Sequence, residues 1–223
     1  MALITDVLIM AAGRGNRMKP LSDIIPKAMA PYKGTTLIGN VLKNFQNGEQ
    51  KIHVTVGYKS EILAKYLLEG GLVSSLINTA GQNNAWWIFN SLLRYKDGPV
   101  LVLTCDNITE LDLDFISSEY VRLGNPACMI VPVDPIIGIE GDSILDQDGV
   151  VYKLSREVKT NKYCSGIQVL NPYKINSLIG KCDDFYQVWN GLMEQSQLSA
   201  SELYPNPWFS VDTLDQLISQ ENI

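Results

Sequence analysis

Apolar residues recur along the chain in two rhythms, short continuous runs and helical spacings. Positions 7–11, Val-Leu-Ile-Met-Ala, form a run that ends against glycine and predicts a buried parallel strand. A loop punctuated by Gly13, Gly15, Pro20, Pro26 and Pro31 follows it. Leu37, Ile38, Val41, Leu42 and Phe45 then fall at helical spacing, and positions 52–56 predict a second strand. Ser60 is placed to cap a helix carrying Ile62, Leu63, Tyr66 and Leu67, and positions 86–95 predict another helix. Positions 100–104, Val-Leu-Val-Leu-Thr, are the most strand-like run and end at Cys105-Asp106-Asn107.

Further on, a helix is expected over 115–123 and strands over 128–133, 150–154 and 166–170. A helix over 186–194 and a short strand over 208–211 complete the pattern, before a last helix with Leu214, Leu217 and Ile218. Thr213 and Gln216 have capping-box spacing at its start. Residues 134–165 are irregular and are expected to be an inserted lid or hairpin. Strands alternating with helices predict an α/β layered fold.

Composition narrows the class. The 223 residues are 46% hydrophobic and 19% charged, as in a globular chain, and their length fits a single domain over 1–223. The net charge is −6 and no block of consecutive Lys and Arg occurs, which argues against a nucleic-acid partner. No run of about 18 apolar residues predicts membrane insertion, and no secretory leader is expected at the N-terminus. Cys105, Cys128, Cys164 and Cys182 form no C-x-x-C pair, so free thiols in a reducing cytoplasm are expected. His53 is the single histidine; H-E-x-x-H and H-x-G-H chemistry is excluded. A Ser-His-Asp triad would have to use it, and a half-buried strand histidine is the expected role.

The candidate chemistry starts at Gly13-Arg14-Gly15-Asn16-Arg17. A strand running into Gly-x-Gly can present several backbone N–H groups to an anion. Met18 stands where a dinucleotide loop has its third glycine, and Pro20 and Pro26 oppose an immediate helix. A Walker A sequence is absent. A phosphate cradle completed by cations remains, with Arg14 or Arg17 and then Lys27, which Pro26 stiffens.

These residues carry a resemblance. Positions 8–18, with Pro20-Leu21 and Pro26-Lys27-Ala28-Met29, resemble the A-A-G-x-G-x-R-[ML], P-L and P-K-x-[ML] elements of the sugar-phosphate nucleotidyltransferase family. The resemblance is tight over 7–42 and loose beyond. It implies a three-layer Rossmann-like fold with a mixed, mostly parallel central sheet. An NTP-binding half would cover about 1–110 and an acceptor-binding half about 111–223. It also implies transfer of NMP from an NTP to a sugar 1-phosphate or similar small phosphate, with release of pyrophosphate and dependence on Mg²⁺. CTP or UTP is the favoured donor, cell-surface polysaccharide synthesis the expected setting, and a homo-oligomer is compatible with it.

Residue by residue, Arg17, Lys27 and Asp106 would be catalytic. Asp106 matches the family's metal-binding aspartate, although Cys105 replaces the usual preceding glycine. Asp212 would be the second metal ligand. Ala11, Ala12, Gly13, Arg14, Gly15 and Gln82 would hold the nucleotide. Gly166 and Lys159 would face the acceptor, although Val158 breaks the usual E-K-P spelling after Glu157. The Ala85–Ser91 segment, with Trp86 and Trp87, and Trp189 further on, resemble the phosphocholine cytidylyltransferase branch. A CTP-dependent enzyme for phosphocholine or another non-sugar phosphate therefore stays open, as does a non-catalytic relative that only binds sugar nucleotide. The tryptophans could cage a quaternary ammonium or pack the core.

Overall fold

The computed structural model describes residues 4–139 and 141–221, so the two ends of the expected 1–223 span, and Glu140 within the expected lid or hairpin, lie outside the described residues. The main elements are β1 (Asp6–Met10), α1 (Leu37–Leu42), β2 (Lys51–Val56), α2 (Ser60–Glu69), β3 (Ser75–Asn78), α3 (Trp86–Asn90) and β4 (Val100–Thr104). They continue with α4 (Leu113–Arg122), β5 (Cys128–Val133), β6 (Ser143–Gln147), β7 (Val150–Ser155) and β8 (Tyr163–Leu170). The chain closes with α5 (Pro172–Leu178), α6 (Phe185–Glu194), β9 (Leu198–Ala200) and α7 (Leu214–Glu221).

Nine strands form one sheet in the order β3-β2-β1-β4-β8-β5-β9-β7-β6. The pairings run seven strands one way and only β7 and β8 the other, which makes the sheet mixed and mostly parallel. Alternation along the strands feeds two cores. Val7, Ile9, Leu101 and Leu103 face a layer holding Ile38, Leu63, Leu67 and Tyr120. Leu8, Val100 and Val102 face the other side, where Trp87, Phe89, Ile175, Phe185 and Leu192 pack. Helices thus cover both faces, the three-layer Rossmann-like arrangement expected from the motifs. Among the described residues no helix is long and apolar enough to cross a membrane.

The local chemistry explains most boundaries. Asp112, Asn171 and Asp184 cap α4, α5 and α6 by accepting from the N–H groups of Phe115, Lys174 and Tyr186. Ser60 does not cap α2: it is the first helical residue, after Lys59 in the left-handed region. The helix expected over 86–95 breaks at Ser91, which is extended and whose Oγ accepts from Leu93 N–H to start a separate 3-10 turn, Leu92–Tyr95. The irregular stretch 134–165 contains a hairpin, β6–β7, turned by Asp148 (φ +51°) and Gly149 (φ +81°). Strands β3, β6 and β9 and helix α5 fall outside the sequence expectation; β9 has three residues and α5 begins on a proline, so neither shows a periodic run.

His53 lies in β2, half-buried as expected. Its Nδ1 is 2.7 Å from Ser75 Oγ and its Nε2 3.2 Å from Asp6 Oδ1, while Lys96 Nζ donates to Asp6 Oδ2 at 2.6 Å. The two His53 contacts tie β1, β2 and β3 together, and Lys96 adds to the hold on Asp6. Burial alone would raise the Asp6 pKa, but bonds from Lys96, Thr5 and His53 outweigh it and hold the carboxyl below its ordinary value.

Two outcomes follow from this packing. Trp87 is fully buried, so Trp87→Ala should cost about 3–5 kcal/mol in urea unfolding, while Leu92→Ala, at an exposed site, should stay within about 0.5 kcal/mol. The depressed Asp6 pKa means its stabilisation is present above the unfolded value of about 3.9 and is lost as pH falls through the lower folded value. The stability difference between the native protein and Asp6→Asn should therefore shrink below about pH 4, read from denaturant melts across pH.

Candidate active site

The C-terminal ends of β1 and β4 lie side by side, Met10 opposite Thr104, and the chain leaves each strand into a loop. This is where open α/β sheets place ligands. After β1, Gly15 takes a left-handed conformation (φ +61°, ψ +41°) and starts a 3-10 turn, Asn16–Met18, instead of a long helix. A Cβ at Gly15 would lie 2.7 Å from the Lys27 Cβ, so the missing side chain lets the loop close over the lysine stem. Lys27 opens a second 3-10 turn, Lys27–Met29, fixed by the buried Ala28 and by Ala30 N–H donating to Lys27 C=O.

A second device brings the acids together. Asn107–Ile108 pairs antiparallel with Phe209–Ser210, and Val211 N–H donates to Asp106 C=O. That ladder places Asp106 and Asp212 beside each other. The expected capping box is formed: Gln216 Oε1 accepts from the N–H groups of Asp212 (2.7 Å) and Thr213 (3.0 Å), and Thr213 Oγ1 accepts from Gln216 N–H. Asp212 is thereby held by its backbone with its carboxylate free for other groups.

Lys27 Nζ donates to Asp106 Oδ2 and, at 3.0 Å, to Asp212 Oδ1. Arg17 Nη2 donates to the same Asp212 oxygen at 2.8 Å. The side chains of Lys27, Asp106 and Asp212 are only 13–15% exposed, whereas that of Arg17 is 61% exposed. Lys27 therefore carries the electrostatic weight, and the Arg17 contact is screened by water. Burial alone would lower the Lys27 pKa; the Asp106 and Asp212 carboxylates raise it above its ordinary value. Burial and then Asp106 push the Cys105 thiol up to about 12, so it is protonated near neutral pH and is no nucleophile.

Two cavities meet at these acids. The larger, about 580 Å³, is lined by the loop residues Ala11, Ala12, Gly13 and Gly15, by Arg17 and Lys27, and by Gln82 on the far wall. The smaller, about 190 Å³, is lined by Tyr163, Gly166 and Trp208 among others. Thr104, Asp106 and Asp212 belong to both. Gly166 has φ +80°, and a Cβ there would come within 3.1 Å of Thr104 Oγ1, so glycine keeps the wall open.

Most of the expected site residues converge here, and two do not. Arg14 is exposed, stacks on the Tyr58 ring at 5.5 Å and lines neither cavity. Lys159 is exposed in the segment between β7 and β8 and also lines neither. The backbone of Ala11 and Ala12 is partly engaged, since Ala11 N–H donates to Thr55 Oγ1 and Tyr58 N–H to Ala12 C=O. Trp87 is core; Trp86 packs on the same cluster, and Trp189 packs on Phe185 and Tyr186 while donating to Gln168 Oε1. None of the three lines either cavity. Thr55, Thr79, Asn83 and Asp184 line the larger cavity and were not legible as site residues, because isolated polar residues after strands and at helix caps carry no motif.

The donor set suits a hard divalent cation. Asp106 and Asp212 converge on one ammonium group where the cavities join, and Mg²⁺ takes one or two carboxylates with the remaining positions filled by phosphate and water. Among the described residues no group of three or more His, Cys, Asp or Glu side chains is placed to hold a metal ion. Gly15→Ala tests the loop's part in this layout. The strained φ and the contact with Lys27 should cost about 1–2 kcal/mol in urea unfolding.

Residues 6–135 match the sequence model of the Nucleotidyl transferase family. A "Bifunctional protein GlmU" of Methanococcus maripaludis is 28% identical over 111 residues, covering 50% of this chain but only 27% of that protein. Among solved structures, a UDP-glucose pyrophosphorylase complexed with UDP-glucose superposes with a TM-score of 0.77 at 16% identity, covering 99% of this chain and 98% of that one. The CTP:phosphocholine cytidylyltransferase LicC of Streptococcus pneumoniae gives 0.74 at 18% identity, covering 99% of both chains. At those identities the superpositions show a shared fold. The family match spans more than half of the residues and includes the glycine loop, Lys27 and Asp106, and the chain belongs to the nucleotidyl transferase family.

Proposed function

We propose that this protein transfers NMP from an NTP, CTP or UTP by preference, to a sugar 1-phosphate or similar small phosphorylated acceptor, releasing pyrophosphate. The observation that carries this reading is the pair of cavities joined at Asp106 and Asp212. A two-substrate transfer needs two compartments sharing one charged point, where the α-phosphorus meets its nucleophile. The nucleotide occupies the larger cavity, with its phosphates against Gly13, Gly15, Arg17 and Lys27 and its base toward Gln82. The acceptor occupies the smaller one beside Gly166. Residues from about 1–110 supply the first compartment and from about 111–223 most of the second, within one domain over 1–223.

Each side chain has a task in that scheme. Arg17 and Lys27 neutralise phosphate oxygens, and Lys27 stabilises charge as it moves onto the pyrophosphate. Asp106 and Asp212 would hold Mg²⁺, which when bound supplies charge neutralisation and orientation at the transferring phosphate. The acceptor phosphate oxygen forms the new bond to the α-phosphorus as the bond to pyrophosphate breaks. A phosphate is anionic near neutral pH, so no protein base is required. Lys159, exposed and outside the lining of both cavities, has no assigned task in this scheme. We place the enzyme in the cytoplasm and in the supply of activated precursors for cell-surface polysaccharide, a setting consistent with the kinds of reaction named for its relatives.

A second reading is cytidylyl transfer to phosphocholine, the reaction named for the LicC structure that superposes on this chain. Pyrophosphate release across the four NTPs with Mg²⁺, with sugar 1-phosphates and phosphocholine as acceptors, separates the two. Asp106→Asn and Asp212→Asn should each lower turnover by about 10²-fold or more with little change in the thermal midpoint. A fully active Asp106→Asn enzyme would remove that residue from the metal role, and no turnover with any NTP and acceptor would leave a protein that only binds.

A further inference from the structure

Gln216 makes three contacts with one amide group. Its Oε1 accepts from the N–H groups of Asp212 and Thr213, and its Nε2 donates to Gly138 C=O at 3.2 Å. The two ends of the amide are not interchangeable. Turning the group over would set its NH₂ against two N–H donors and its oxygen against a carbonyl. Gly138 lies in the connection between β5 and β6. The far end of that connection is fastened: Cys164 N–H donates to Asp142 C=O, and the Tyr186 hydroxyl donates to the Asp142 carboxylate. Its middle is a tight turn, in which Ile139 N–H donates to Ile136 C=O at 3.2 Å. Gly138 has φ +86° there, a region glycine enters without steric cost. Ile137 is fully exposed on the turn, whereas Ile136 and Ile139 pack against the core, and Ile139 lines the smaller cavity.

A helix cap alone does not call for this arrangement. A capping box uses only an acceptor oxygen at its third helical position, so Glu serves it as well as Gln. The Gly138 carbonyl is what requires a donor at the other end, and an amide supplies both. Resting on the nucleotidyl-transfer reading above, we propose that Gln216 is a positioning residue for the transfer: its amide holds the Gly138 turn, and with it the Ile139 wall of the smaller cavity, in register with the backbone of Asp212. Gln216 lines neither cavity, so it acts only through these two segments, whose contact spans 78 positions of the chain. The amide is planar and its three bonds share that plane's orientation, so a shift of either segment is passed to the other. Transfer at the junction of the two cavities tolerates little of this, since a misplacement of about 1 Å can cost about 10²-fold in rate. The metal-side acid and the wall facing it are thus set by one side chain rather than independently.

Two variants separate the arms of the amide. Gln216→Glu keeps the acceptor for Asp212 and Thr213 and removes the donor to Gly138; Gln216→Met keeps the length and removes both. Each is compared with the native protein in two measurements. The first is backbone hydrogen exchange on the ligand-free protein, followed over residues 134–142 and 211–217. The second is pyrophosphate release with UTP and glucose 1-phosphate and with CTP and phosphocholine, varying the acceptor and Mg²⁺ separately. With Gln216→Glu, exchange over 134–142 should rise by about fivefold or more while 211–217 stays native. Its acceptor KM should rise by about tenfold, with the Mg²⁺ requirement within about threefold of native. With Gln216→Met, both segments should exchange faster, and the Mg²⁺ needed for half-maximal rate should rise by about 10–100-fold. Rescue of the Mg²⁺ requirement but not of the acceptor KM by Glu is the signature of a two-armed amide. A Gln216→Glu protein with native exchange over 134–142, or with a native acceptor KM, reduces Gln216 to a helix cap and overturns the proposal. Should Gln216→Met fail to fold, Gln216→Glu alone decides. The transfer reading fails separately, by absence of pyrophosphate release from the native protein with any NTP, and the exchange pattern then still decides whether one amide ties the two segments.

Discussion

Two carboxylates at one point repel each other, and the fold holds Asp106 and Asp212 together by placing the Lys27 ammonium between them. Each of the three groups comes from a different part of the chain, and each is aimed by a separate local device. The ladder of Asn107–Ile108 with Phe209–Ser210 sets the spacing of the acids. The Gln216 side chain anchors the Asp212 backbone. Gly15 clears the path of the lysine stem. With side chains mostly shielded from water, the cluster is held in a medium where charge interactions are stronger than at the surface, so it stays intact only while both signs are present.

That constraint organises the rest of the site. The glycine loop stands on one side of the charge cluster and the Gly166 wall on the other, so the cluster is both the floor of the larger cavity and the door to the smaller. The sheet explains why these parts coincide. β1 and β4 are parallel neighbours whose loops leave from the same edge, and β8, running the opposite way beside β4, brings Gly166 back to Thr104. One antiparallel strand inserted into an otherwise parallel neighbourhood is what joins the second compartment to the first. The opposite end of the sheet carries another polar network, Asp6 with His53 and Lys96, whose residues line neither cavity and which fastens strand ends.

The tryptophans show how a resemblance can be carried too far. The Ala85–Ser91 segment has the aromatic content of a ligand cage, but Trp87 faces the core layer against α5 and α6, and neither Trp86 nor Trp189 reaches the cavities. Trp208, in an inconspicuous Pro-Trp-Phe stretch, is the one that lines a cavity shared with the acids. Aromatic residues are recruited equally by cores and by sites, so composition alone does not separate the two uses.

The sequence by itself determined the α/β alternation, the loop after β1, the pairing of Pro26 with Lys27 and the two aspartates at strand ends. These are legible because glycine, proline and an acid after an apolar run are local requirements of backbone geometry and charge, satisfied within a few residues. The capping box at Thr213 and Gln216 was legible for the same reason. Tertiary structure alone decided that Arg14 turns away to Tyr58, that Lys159 stands outside, that Thr55 takes the Ala11 N–H, and that Trp208 and Tyr163 line the smaller cavity. The order of strands in the sheet, with β8 between β4 and β5, was equally invisible. Each of these depends on which distant segment lies alongside, and a pattern read along one chain carries direction and period but not the identity of the neighbour.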